Sequence, residues 1–251
     1  MKKIWAICRY TIKENIRHKI FYVILLFAAI TVGINLLFGF MAGDEQIRLL
    51  FDFGLGAIEI FGLVVAIFVS SGLIIEETES KTVYLILSRP VKRIEYIFGR
   101  YLGMILTVIA GLLIMAAVHV SVLFSVSWPG SFHYVLALAG IGMKIILVSA
   151  IALFFSLFST SVVTAVVFTI FFWILGHFGT ELRYLSSKIS NIFVKAVLKL
   201  FFYIMPNFQY ANFRDFAYAA DASLILPVAY TFFYSLICIC LSSLLFSKKE
   251  F

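Results

Sequence analysis

Six stretches of largely apolar residues, most of them about 20 residues long, divide this chain, and a run of that length suffices to cross the hydrocarbon core of a bilayer as a helix. They cover residues 21–42, 54–75, 101–126, 139–158, 162–177 and 224–246. With no water in the bilayer core, each backbone N–H and C=O must find its partner within the segment, so runs of this kind are helices. Trp128-Pro129-Gly130 is a strong break that closes the third run. Pro227 falls in the first turn of the sixth, where proline is tolerated. The expected fold is all-α and polytopic, a single transmembrane domain over residues 1–251. Hydrophobic residues make up 63% of the chain, against about 45–50% in a soluble domain, and charged residues only 13%. A soluble enzyme, a disordered chain and a free nucleic-acid-binding domain are excluded, because so few charges cannot cover so much apolar surface.

The basic residues set the orientation. Lys2, Lys3, Arg9, Lys13, Arg17 and Lys19 precede the first run. Lys81, Arg89, Lys92, Arg93 and Arg100 lie between the second and third, and Lys248 and Lys249 follow the last. These three segments hold 13 of the 20 Lys and Arg residues, and six spans place all three on one side. By the positive-inside rule that side is the cytoplasm, with both termini there, in a cell inner or plasma membrane. Residues 1–19 are too polar and too long for the n-region of a signal peptide, and no small-residue cleavage site follows the first run, so the first span is expected to be retained. Cys8, Cys238 and Cys240 make no disulfide framework.

Two polar segments have helical periodicity. In residues 2–19, Ile4, Trp5, Ile7, Cys8, Ile12 and Ile16 alternate with Lys3, Arg9, Lys13 and Arg17, the pattern of a basic helix on the inner leaflet. From Glu181 to Ile204, Tyr184, Ser187, Lys188, Asn191, Lys195 and Lys199 recur at three- and four-residue steps. This spacing predicts one outer amphipathic helix with Lys188, Lys195 and Lys199 on its polar face. Three readings stand for it: a helix packed over the span ends, a surface that receives or releases substrate, or a further span broken at Pro206.

The connection between the second and third runs holds nine charged residues from Glu76 to Arg100. Composition alone makes it a charged cytoplasmic loop with a short helix over Thr82–Leu87, stopped by Pro90. Its residue order says more. Glu77, Glu79, Thr82, Leu85, Leu87, Ser88, Pro90, Val91, Arg93, Gly99 and Arg100 occupy the positions of a cytoplasmic signature, whose most specific part is Leu87-Ser88-Arg89-Pro90-Val91-Lys92-Arg93. This segment resembles the type-two ATP-binding-cassette (ABC) permeases, in particular the branch associated with multicopper-enzyme maturation. Lys81 departs from the glycine of many members, but that branch also carries Lys or Arg there. The resemblance implies a coupling helix that docks a separate ATPase subunit, with Glu77, Glu79, Thr82, Val83, Leu85, Ile86, Ser88, Pro90 and Arg93 at the contact. It also implies a permease that works as one half of a homodimer or pseudo-symmetric dimer, most simply as an exporter. No G-x-x-x-x-G-K-[ST] phosphate loop is present, so ATP and magnesium are expected on the partner and no cofactor on this chain.

Glu59 and Lys144 are the Asp, Glu, Lys or Arg residues clearly inside the runs. A charge at mid-bilayer costs roughly 2.5–3.5 kcal/mol on insertion scales, so each needs a reason. They either snorkel to the outer interface, pair with each other near the outer mouth, or touch cargo. His119, His133 and His177 fall on the outer half, but their spacing is not a ligand motif and no metal site is expected. No nucleophile–base set appears, so the chain is not expected to be an enzyme. Glycines at 54, 56, 62, 99, 103 and 111 let helices approach closely, either within one subunit or at a homodimer seam. A membrane scaffold or sensor that recruits a cytoplasmic partner through residues 76–100 is the alternative to a transporter.

Overall fold

The computed structural model of the chain describes residues 2–17, 20–41, 45–79, 92–189, 191–214 and 224–248. Among these there are nine α-helices, one short 3-10 turn and no strand, and the chain is an all-α multi-pass membrane protein. In chain order the helices are α1 (Lys2–Arg17), α2 (Ile20–Met41), α3 (Gln46–Glu79), α4 (Arg93–Ser125), α5 (Phe132–Phe158), α6 (Val162–His177), α7 (Gly179–Lys188), α8 (Ile192–Ile204) and α9 (Ile225–Lys248). The 3-10 turn, Phe208–Ala211, follows α8.

Helices α2, α3, α4, α5 and α9 are each long and apolar enough to cross a membrane. The sixth such segment is Ile192–Ala211. Helix α6 has the bounds read from the sequence, but its 16 residues reach only about 24 Å at 1.5 Å per residue. It satisfies the same length only jointly with Glu181–Lys188, across a 62° bend.

Three helices extend past the limits that hydrophobicity suggested. Helix α3 begins at Gln46 and runs to Glu79, taking in the polar residues on either side of its apolar run. Helix α4 starts at Arg93, so residues 93–100 are its first two turns and not part of a loop. The backbone N–H of Lys92 donates to Glu95 Oε2 at 3.0 Å, fixing that start. Helix α5 starts at Phe132, because Ser131 caps it by accepting from the His133 N–H at 3.2 Å. Between α4 and α5 the chain turns through left-handed backbone at Ser127 (φ 62°) and Gly130 (φ 79°). A hydrophobicity scan misses such ends because a helix continues as long as its backbone is satisfied.

The amphipathic segment from Glu181 to Ile204 is two helices and not one. Helix α7 ends at Lys188 and α8 begins at Ile192, with Asn191 accepting from the Phe193 and Val194 N–H groups. That side-chain cap competes with continuation of the helix, and α7 and α8 pack against each other. Helix α8 stops at Ile204, just before Pro206.

Helix α5 is the central post, packed on α3, α4, α6 and α9. Inside the bundle 72% of its apolar window is buried, against 11% for α2, which therefore presents most of its surface outward. One core cluster joins Ile74, Tyr96, Ile97, Tyr101, Leu153 and Phe246. A second joins Leu50, Leu55, Ile58, Leu123, Tyr134 and Ile141. Several buried hydroxyls bond to their own helix: Thr31, Thr107, Ser149 and Thr169 each donate to the carbonyl four residues earlier.

Candidate functional site

The segment with the specific signature is bounded by a set of buried charges. Thr82, Val83, Leu85, Ile86, Ser88 and Pro90 lie outside the described residues, as does the side chain of Glu79. Glu77 and Arg93 flank them and are described.

Glu77 sits in the last turn of α3 with its side chain turned into the bundle, and the residue is 5% exposed. It accepts from the Tyr96 hydroxyl and pairs with Arg100 Nη2. Arg100 is fully buried, two turns into α4. Its Nη1 donates to Glu14 Oε2 at 2.6 Å and to Thr11 Oγ1 at 3.1 Å, both on α1. The guanidinium also lies over the rings of Tyr10, at 5.1 Å, and Tyr96, at 5.7 Å. Taking a charge out of water costs several kcal/mol, and only close pairing with further hydrogen bonds offsets it. Arg100 has such a setting, with two carboxylates and a hydroxyl around one planar fork.

Arg93 does comparable work at the other end. Its Nη1 donates to the carbonyls of Phe246, at 2.7 Å, and Ser247, at 2.9 Å, so it caps the C-terminus of α9. The Tyr96 ring stacks on Phe246 at 5.3 Å. The last span, the start of α4, the end of α3 and α1 are therefore joined at one place. Glu77 and Arg93 thus tie the two ends of the signature segment to the bundle.

Helix α1 reaches Arg100 because α4 is flat where they meet. A Cβ at Gly99 would lie 2.9 Å from Ile7 Cβ, and one at Gly103 would lie 2.5 Å from Thr11 Cβ and 2.9 Å from the Cys8 carbonyl. Ile4, Ile7, Cys8, Thr11 and Asn15 form the seated face at three- and four-residue spacing. Asn15 Nδ2 adds a contact of 3.4 Å to Thr107 Oγ1. The opposite face carries Trp5, Arg9 and Lys13, all exposed, with Tyr10 at its edge against Arg100. Sequence reasoning placed Arg100 among the orienting cations and in the cytoplasmic signature, gave it no partner, and assigned no role to Glu14 or Tyr96. The available signal was a cation inside an apolar helix with an aromatic four residues before it.

A second polar cluster lies deeper. Lys144 Nζ donates to Glu59 Oε1 at 2.8 Å, and the side chains are 6% and 14% exposed. Because α3 starts at Gln46, Glu59 stands about 20 Å along it at 1.5 Å per residue. Lys144 also reaches Asn212 Oδ1 at 3.4 Å, and His177 Nε2 is 4.0 Å from Glu59 Oε1. Asn212 belongs to the segment after α8, which packs its backbone against two glycines: the Ala211 carbonyl faces Gly140, and the Pro206 carbonyl faces Gly176.

The other residues marked in the sequence fall apart from these clusters. Lys188 is on α7 with its ammonium 4.7 Å from the Tyr184 ring centre, whereas Lys195 and Lys199 are on α8, so the three do not share one helix face. His119 is enclosed, with Nε2 3.1 Å from the Leu50 carbonyl and Nδ1 3.1 Å from the Tyr134 hydroxyl. Its ring fills the space that a side chain at Gly54 would need. Gly62 faces Ile145. Gly54, Gly62, Gly99 and Gly103 thus serve packing within the chain.

The model of a family described as ABC-2 family transporter protein matches residues 5–251. No curated protein matches the chain.

Proposed function

The chain belongs to the ABC-2 family of transporter proteins, the membrane component of an ABC transporter with a partner ATPase subunit, and we propose that residues 80–91 dock that ATPase on the cytoplasmic face. The observation that carries the docking reading is the buried junction at its two ends, where Glu77 and Arg93 are fixed to α1, α4 and α9. Flanking residues held this firmly would pass motion from the docked ATPase to the spans instead of absorbing it. We assign Glu79, Thr82, Val83, Leu85, Ile86, Ser88 and Pro90 to the contact itself, and Glu77 and Arg93 to its support. The Leu87–Arg93 motif supports the multicopper-maturation branch.

In this reading ATP and magnesium bind the partner, and two permease copies flank the translocation route. Export is the direction we assign, by resemblance to the type-two permeases. ATPase closure then shifts the spans between inward- and outward-accessible populations. Both termini and the docking segment face the cytoplasm of a plasma or inner membrane. Co-purification with an ABC ATPase subunit, followed by ATP hydrolysis in liposomes with and without this chain, tests the reading. A retained partner that never hydrolyses ATP would favour the scaffold alternative.

A further inference from the structure

We propose that Arg100 is the positioning residue that ties α1 to the docking segment, so that displacement of that segment is passed on to α1 and to the end of α9. The proposal rests on the docking reading above. Glu77 precedes the segment by three residues, and its carboxylate shares the Arg100 guanidinium with Glu14 of α1. Tyr96 holds the same carboxylate through its hydroxyl while its ring lies on Phe246. Arg93, just beyond the segment, holds the carbonyls that end α9. Both ends of the docking segment thus run into one enclosed knot, in which Arg100 and Tyr96 are fully buried.

Enclosure makes the tie stiff. A buried cation is stable only when closely paired, so when Glu77 moves, Arg100 must follow it or exchange the shared pairing for Glu14 alone. Following it moves α4 and the α1 face seated on Gly99 and Gly103. Exchanging it loosens α3 from α1. Either response repositions α1, whose exposed Trp5, Arg9 and Lys13 would register the change at the inner leaflet.

The chain carries its own reporter. Cys8 is 1% exposed beneath α1, with its carbonyl against Gly103. Burial also pushes its thiol pKa up, so the reactive thiolate is scarce while α1 is seated.

The experiment uses the full chain with Cys238 and Cys240 replaced by Ala, purified with its ATPase in lipid nanodiscs. Maleimide labelling of Cys8 is followed with ADP and with a non-hydrolysable ATP analogue. The expected result is slow labelling whose rate differs between the two nucleotides. Arg100→Met should label more than about tenfold faster in both states and lose the nucleotide difference, while still retaining the ATPase. Arg100→Lys keeps the charge without the fork and should restore part of both the protection and the difference. Should Arg100→Met fail to insert, the Lys variant alone decides, by whether the nucleotide difference shrinks. Failure of the parent chain to retain the ATPase would sink the docking reading and this proposal with it. A complex that forms but shows equal labelling in both nucleotides overturns the proposal alone. So does an Arg100 variant that keeps both the protection and the nucleotide difference.

Discussion

Lys144 donates to Glu59 at 2.8 Å, and each residue stands near the midpoint of its helix, far from either end. Both side chains are largely enclosed in the bundle, Lys144 6% and Glu59 14% exposed. The pair is therefore a mutual solution to burial, joined by Asn212 and with His177 close by. It links α3 to α5, the central post, and brings the segment after α8 to the same place.

Breaking that pair on one side should cost more than removing it whole. Glu59→Gln or Lys144→Met alone leaves a buried charge, and each is expected to destabilise the chain by about 3–5 kcal/mol. The double variant should recover most of this loss. Thermal unfolding of the three variants in one detergent checks it, and additive losses would show that the two side chains do not act as a pair.

The seat of α1 is testable at one glycine. Gly103→Val places its side chain on Thr11 and the Cys8 carbonyl, whereas Gly33 has open space around it. Gly103→Val should expose Cys8 to maleimide, and Gly33→Ala should leave its protection unchanged. Protected Cys8 in Gly103→Val would mean that α1 is not seated as described.

Glu77→Ala with Glu79→Ala should detach or uncouple the ATPase while the chain still inserts. Removing the Glu77 carboxylate takes one of the two carboxylates from Arg100, and truncating one side of a buried, paired charge typically costs about 2–5 kcal/mol. Lys81→Arg should be nearly silent. Pull-down of the ATPase and hydrolysis by the reconstituted complex are the measurements, and wild-type values in the double variant would return the segment to an ordinary charged loop.

Topology is read by single cysteines at Ser80 and Ser187 in a background without native cysteines. Impermeant maleimide added to intact cells should label the cysteine at 187 and spare the one at 80. The reverse pattern would invert the orientation drawn from the basic residues.

The cations of α7 and α8 give a separate handle. Lys188, Lys195 and Lys199 changed together to Gln should leave ATPase assembly intact and change cargo-stimulated turnover or membrane contact. Because Lys188 lies on α7 and the other two on α8, changing it alone should have a different effect from changing the α8 pair. Loss of the ATPase in the triple variant would make this region structural.

The sequence by itself determined that the chain is a helical membrane protein, because apolar runs of this length have no other stable backbone arrangement in a bilayer. It also marked Glu59 and Lys144, since a charge inside such a run stands out against its surroundings. The order of residues from Glu77 to Arg100 pointed to the family that the chain matches over residues 5–251. Helix ends were less legible. Gln46, Arg93 and Phe132 extend helices into polar sequence, where local caps such as Glu95 and Ser131 decide the boundary. The division into α7 and α8 turned on one Asn191 side chain. Only the tertiary structure decided that Glu77 points inward and that Arg100 is its partner. Glu14, Glu77 and Arg100 lie far apart along the chain, and no periodicity relates them. What unites them is the burial of Arg100 and Glu77, which makes close pairing necessary wherever packing brings their helices together, with Glu14 completing it from the rim.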